Sequence, residues 1–333
     1  MTTPHKIPDA ERGSALVTVL MMVAAMALVA VGISQTVNAA TKRSGALSQQ
    51  MQARYYAVSA EAVVRSRVAD LLQEYDGQTI GSVPGFSEPV VYPLSAGSIT
   101  VHIRDRSNCF NVNGLVIDDG SGQFIARDAA YADFLKLAEL TGLDRAQAST
   151  LGNSLIDWMD SDNSPRVSGA EDSYYSGERP SYRTAGQPMT NRSEINLVRE
   201  FDPAIRNGLM PYLCALPDDI GTDFGPLNVN TLTVEQAGLL ALVFPDGLTR
   251  VDAENLIASR PVLGWRSVEQ FLAEPRVANF ASDTVRNDRL AVTSTHLSAL
   301  ADIAYRDQSM TMEYLMAIAD GQPLRLVRRE RVG

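Results

Sequence analysis

The distribution of apolar residues defines the first element of this chain. Residues 15–33 carry no charged side chain, and a helix rising ~1.5 Å per residue over such a run crosses a ~30 Å hydrocarbon core. The helical pattern continues beyond it, with Leu47, Met51, Tyr55, Val58 and Ala62, then Val68 and Leu72, at three- and four-residue steps. One long helix is expected, its outer part packed on a sheet. Asp76-Gly77 ends it, because glycine accepts the left-handed conformation that terminates helices and Gly81, Pro84 and Gly85 cannot extend it.

The pattern then changes to a period of two. Ile99, Val101 and Ile103 alternate with Thr100, His102 and Arg104, and residues 90–92 precede them across a turn containing Gly97, which predicts a β-hairpin. Residues 290–294, 297–305, 310–318 and 324–328 read as further strands, with Asp320-Gly321 as a turn signal. Between these groups the helical period returns, notably at 130–141, 146–158 and 234–243. The expected fold class is α+β: a long N-terminal helix on an antiparallel sheet that is split in sequence by a large, mainly helical insertion. Phe110-Asn111-Val112-Asn113 recurs as Leu227-Asn228-Val229-Asn230. Local helix-entry chemistry, with asparagine or Thr231 as caps, accounts for so short an echo better than duplication does.

At 333 residues the chain suits two lobes, each able to bury its own core. The 29 Lys and Arg against 39 Asp and Glu give a formal charge of −10, which repels phosphate backbones, so no nucleic acid is expected as a partner. Residues 248–272 have the outline of a helix-hairpin-helix, a shape that can hold DNA backbone. They carry Pro245-Asp246-Gly247-Leu248 in place of the glycine-hydrophobic-glycine hairpin, and a packed helical module is the reading adopted.

Candidate chemistry is concentrated in one stretch. Asp157-Trp158-Met159-Asp160-Ser161-Asp162-Asn163 places oxygen-bearing side chains at and beyond the end of an apolar helix, and Glu171-Asp172 follows in a loop rich in Ser, Pro and Gly. Clustered carboxylates repel one another unless a cation neutralises them, and calcium takes six to eight oxygen ligands in irregular geometry. The alternative is a solvated acidic loop with helix-capping aspartates. No enzyme is expected: His5, His102 and His296 are scattered, and no His-Glu-x-x-His, Gly-x-Ser-x-Gly or phosphate-loop pattern occurs.

Lys6 and Arg12 precede the apolar run and Lys42 and Arg43 follow it, so charge alone does not orient the chain. Arg12-Gly13 before Ser14-Ala15-Leu16-Val17 resembles the prepilin-peptidase site of type IV pilins and type II secretion pseudopilins. That resemblance implies cleavage by prepilin peptidase between Gly13 and Ser14, a cytoplasmic leader, an inner-membrane anchor and a body facing outward into the periplasm. Thr18, fifth in the mature chain, stands where most pilins carry a glutamate, as suits a subunit with nothing stacked above it. Cys109 and Cys214, the two cysteines of the chain, would then lie in an oxidising compartment, and a disulfide is expected over two buried free thiols.

A second resemblance is more specific. Asp157-Trp158, Asp160-Ser161-Asp162, Pro165-Arg166, the run from Gly169 through Tyr175, Pro180, Tyr182-Arg183 and Ser193-Glu194 follow in the order found in the K subunit of type II secretion systems, the large minor pseudopilin. The likeness extends to Arg260-Pro261 and the run from Ser267 through Leu272. It implies a leader at 1–13, a membrane helix at 14–34, a pseudopilin helix-and-sheet domain from 35–111 and 283–333, and an insertion at 112–282. It also implies calcium bound by that insertion, with Asp160, Asp162, Glu171 and Asp172 as ligands and Asp157 less firmly placed. The implied partners are minor pseudopilins I and J, with the minor H and major G pseudopilins as further contacts. The runner-up is a membrane-anchored, calcium-dependent binding module outside any filament.

Overall fold

In the computed structural model, the described residues are 9–217, 219–222, 225–244, 247–280, 285–306, 308–319 and 322–332, with side chains from residue 15 onward except that of Ala53. The start of the leader, Pro245-Asp246, Asp320-Gly321 and the expected boundary at 282–283 lie outside them.

Helix α1 (Asp9–Glu74) is a single 66-residue element, and among the described residues it is the one helix long and apolar enough to cross a membrane. Its packed stripe matches the expected one at Val68 and Leu72 and differs from it earlier in the helix. Leu47, Met51, Tyr55 and Val58 are 56–67% exposed, whereas Ala57, Ala60, Val64, Val68 and Leu71 are buried. At Ala57 and Ala60 small residues bring the helix axis close to the sheet, and a reading weighted towards large side chains selected the other face over residues 47–62. Past Glu74, Asp76 (φ 53°) and Gly77 (φ 79°) adopt the left-handed conformation that ends the helix.

Strands β1 (Val90–Leu94) and β2 (Gly97–Asp105) form the hairpin, with Val90 opposite Val101 and Leu94 opposite Gly97. The chain then leaves the sheet through β3 (Phe110–Asn111), β4 (Val116–Asp118), β5 (Phe124–Ala126), α2 (Asp128–Leu140), α3 (Arg145–Met159), α4 (Asp172–Tyr175), α5 (Pro203–Leu209), β6 (Leu213–Cys214), β7 (Leu227–Asn228), α6 (Ala237–Val243), α7 (Arg250–Ala258), α8 (Val268–Leu272), α9 (Pro275–Ala278) and β8 (Leu290–Ala291). It returns as β9 (His296–Tyr305), β10 (Gln308–Ala317) and β11 (Arg325–Val332). The main sheet runs β1-β2-β9-β10-β11 with every pair antiparallel. The strand expected at 290–294 is reduced to β8, which pairs in parallel with β7 outside the main sheet.

Alternation along the strands divides their side chains between two faces. Ile99, Val101 and Ile103 join Leu297, Ala299, Ala301 and Ile303 beneath α1 in one core. The insertion has a separate, larger core that includes Phe134, Leu151, Leu155, Trp158, Leu240 and Trp265. A buried polar seam joins the two lobes. Asn228 donates to Thr79 and Ser294, and Asn108 and Asn228 bond through Asn108 Oδ1 at 2.8 Å.

The two Asn-Val-Asn elements are the same device in structure. Asn113 accepts from Met189 N–H at 2.8 Å and donates to Met189 C=O at 2.9 Å, while Asn230 does the same with Trp265 at 2.7 and 2.9 Å. Each side-chain amide therefore pairs with a distant peptide group as another backbone segment would. Each element also begins on a two-residue strand in a parallel pair, β3 with β6 and β7 with β8, a likeness that extends beyond capping.

Candidate metal centre

Helix α3 starts with a capping box, in which Asp144 accepts from Gln147 N–H at 2.8 Å and the Gln147 side chain accepts from Asp144 N–H at 3.2 Å. Ala148, Leu151, Leu155, Ile156 and Met159 are all buried, so the helix is held with its last turn inside the lobe. Asp157, on that turn, is 0% exposed. Asp160 ends the helix in extended conformation (φ −72°, ψ 164°) and directs the chain into the following loop.

That loop wraps back over Asp157. Arg166 N–H donates to both oxygens of the Asp157 carboxylate at 3.1–3.2 Å, and Arg166 Nε donates to Asn153 Oδ1 at 3.0 Å. Gly169 lies directly against the same carboxylate, where a Cβ would collide with Asp157 Oδ2. The loop then delivers Glu171, 1% exposed, at the start of α4. Trp158, Tyr175 and Tyr182 stack beside it, with Trp158 and Tyr175 edge to face at 5.2 Å.

Three carboxylates converge as a result. Asp157, Asp160 and Glu171 each bring an oxygen within 4.8 Å of the others. Both oxygens of Glu171 and Asp160 Oδ1 are buried with no hydrogen-bond partner. Burial pushes all three carboxyls above their usual range. Glu171 rises to about 8, with Asp160 and then Asp157 adding to the effect of burial. Asp160 rises to about 7, with Asp162 and Asp157 adding to it. Asp157 is raised as well, by burial, with the Arg166 and Ala170 amides opposing it. A cluster of this kind must either hold protons or surround a cation. The donors are all hard oxygens on an irregular loop, which fits an ion such as calcium.

Asp157, the least firmly placed of the five expected ligands, is thus the most deeply buried member of the trio. Asp162 and Asp172 are not brought into it. Asp162 is exposed and accepts from Ser164 N–H at 2.7 Å, turning the loop. Asp172 accepts from Thr184 N–H and Oγ1, both at 3.0 Å. Asn153, Arg166 and Gly169, which shape the loop, were not singled out as site residues in the sequence. The signal for Asn153 was its position one turn before Asp157 on the same helix.

The remaining expected residues lie elsewhere. Cys109 and Cys214 form a disulfide with Cα atoms 5.8 Å apart, joining the residue before β3 to the last residue of β6. With Leu216 they pack on Leu315, on the sheet face opposite α1. Thr18 Oγ1 donates to Ala15 C=O at 2.9 Å within α1. Gly13 and Ser14 are within α1, in the stretch whose side chains are not described.

A family model for "Type II secretion system (T2SS), protein K" matches residues 108–218, and a second of the same description matches residues 227–293. The type II secretion system protein K of Klebsiella pneumoniae is 34% identical over 272 residues, covering 80% of each chain. That of Pectobacterium carotovorum subsp. carotovorum is 31% identical over 329 residues, covering 97% of each. Among solved structures, a chain of the GspK-GspI-GspJ complex from the enterotoxigenic Escherichia coli type 2 secretion system superposes with a TM-score of 0.72 at 28% identity, covering 87% of this chain and 99% of that one. With a long N-terminal helix on an antiparallel sheet interrupted by a helical insertion, this chain belongs to the type II secretion system protein K family and is a minor pseudopilin.

Proposed function

We propose that this minor pseudopilin caps the tip of a periplasmic pseudopilus together with minor pseudopilins I and J, promoting filament assembly for protein export, and that it acts as a structural subunit with no catalytic reaction of its own. The observation that carries the tip position is the insertion, a lobe with its own core built onto the sheet domain, whose bulk suits an end position better than a closely stacked shaft. Thr18 supports the same reading, since a terminal subunit has no neighbour above it whose amine a glutamate would meet. The leader is removed by prepilin peptidase between Gly13 and Ser14, leaving α1 anchored in the inner membrane with the body outside. The minor H and major G pseudopilins are further contacts below the tip.

Calcium would be held by Asp157, Asp160 and Glu171, which supply charge and oxygen ligands, Glu171 and Asp160 Oδ1 having no other partner, with Asp162 near enough to add to the negative field on Asp160. When bound, the ion neutralises the cluster and fixes the loop. Family membership disfavours the alternative of a calcium-dependent module outside a filament. The test is co-expression of the full chain with its I and J partners, followed by detergent extraction and gel filtration. A stable ternary complex is the expected result, and a chain that elutes alone in all conditions would refute the tip role. Mass spectrometry of the mature N-terminus reads the processing independently, and an intact leader would overturn that part.

A further inference from the structure

A second charged feature lies far from the carboxylates in composition and sign. Alternation in β2 directs Ile103 under α1 and Arg104 to the opposite face, and the register there aligns Arg104 with Ser298, and Leu315 with Arg328. The insertion covers this face incompletely and leaves a cleft of about 420 Å³, within the ~300–1,000 Å³ range of ligand pockets. Arg104, Arg106, Arg192 and Arg328 line it with only Glu313 and Glu330 to oppose them, in a molecule whose formal charge is −10.

Two of these arginines are already engaged. Arg106 pairs with Glu313 at 2.6 Å and donates to Ser298 at 2.9 Å. Arg328 pairs with Glu330 at 3.3 Å and donates to Thr190 C=O at 2.9 Å. Asn191 bonds Glu330 at 2.7 Å and so pins the neighbouring turn that carries Arg192 to the sheet. The side chains of Arg104 and Arg192 make no hydrogen bond or ion pair among the described residues. Burial and the adjacent Arg106 charge hold the Arg192 guanidinium below its usual range, against the pull of Glu313. The half-buried positive charge is therefore only partly compensated.

We propose that this cleft between the sheet and the insertion binds an acidic segment of a partner protein, whose Asp or Glu carboxylates pair with Arg104 and Arg192. The cleft already uses carboxylate geometry, since its own Arg106 and Arg328 are paired with glutamates, and planar guanidinium groups match carboxylates two oxygens at a time. Its volume exceeds what a single inorganic anion fills, and the two uncommitted arginines come from separate elements, which suits an extended segment.

The test uses the detergent-solubilised full chain and a fluorescent hexapeptide of glutamate, with the glutamine hexapeptide and inorganic phosphate as comparison arms. The glutamate peptide should bind and weaken with added salt, the glutamine peptide should not, and phosphate at equal concentration should not displace it. Arg104→Ala together with Arg192→Gln should lower the affinity by about tenfold or more, while Arg276→Gln, on an exposed helix elsewhere, should leave it unchanged. Arg104 is exposed, so Arg104→Ala alone tests the site without disturbing packing and should weaken binding several-fold. Equal binding of the glutamine peptide, displacement by phosphate, or unchanged affinity in Arg104→Ala would each overturn the proposal.

Discussion

Glu171 has two buried oxygens without partners, and its behaviour with pH follows from that. In the folded chain burial pushes the Asp160 and Glu171 carboxyls up to about 7 and about 8, against ~4 for unfolded carboxylates. Between these values the folded state holds protons that the unfolded state has released, so stability falls as pH rises from ~4 through ~8. Metal-free protein should therefore melt at a higher temperature at pH 5 than at pH 8. Calcium, which needs the ionised carboxylates, should raise the midpoint more at pH 8. Glu171→Gln should flatten the pH slope and largely remove the calcium response; a variant that kept both would count against the metal site. Asn113 offers a second test. Asn113→Asp removes the donor to Met189 C=O and buries a charge, which should cost at least about 1–3 kcal/mol in denaturant unfolding. Asn230→Asp should behave alike at Trp265, and a neutral result at either position would mean that the amide-to-backbone pairing is not stabilising.

At the scale of elements, the centre depends on how α3 ends. The buried apolar face of α3 fixes its rotation, its last turn presents Asp157 inward, and Asp160 breaks the helix so that the loop can return with Gly169 and Glu171. Gly169→Ala should displace that loop, because the added Cβ meets the Asp157 carboxylate, yet it leaves the hydrophobic face of α3 intact. The expected outcome is a near-native far-ultraviolet circular dichroism spectrum with a much weakened calcium-dependent melting shift. A full shift would show that the loop does not need the close approach. The disulfide acts on another element pair: it closes a separation of 105 residues, for which chain entropy alone gives about 4–5 kcal/mol.

Across the whole molecule, the two lobes have separate cores joined by a polar seam, and only the insertion contains the carboxylate trio. Chelation should therefore loosen the insertion before the sheet domain. Hydrogen exchange on the full chain should show faster exchange first at residues 157–175, with α1 and β9 protected; uniform loosening, or none, would contradict a calcium-ordered lobe.

The sequence by itself determined the membrane-length helix, the period-two strands, the split sheet and the acidic stretch, because each is a local pattern of polarity that survives without knowledge of neighbours. It also contained both Asn-Val-Asn elements, although their shared bonding to Met189 and Trp265 involves residues too distant for a local pattern to reveal. Only the tertiary structure decided which face of α1 packs over residues 47–62, since Ala57 and Ala60 bring helix and sheet together there while the larger Leu47, Met51, Tyr55 and Val58 stay exposed. It likewise separated Asp157, Asp160 and Glu171 from Asp162 and Asp172. In sequence all five are acidic residues on one stretch; the direction of each carboxylate depends on the rotation of α3, the return of the loop, and the competing N–H donors of Ser164 and Thr184. The arginine cleft was the least legible feature, because strand register and the insertion bring together residues 104, 192 and 328 from three separate parts of the chain.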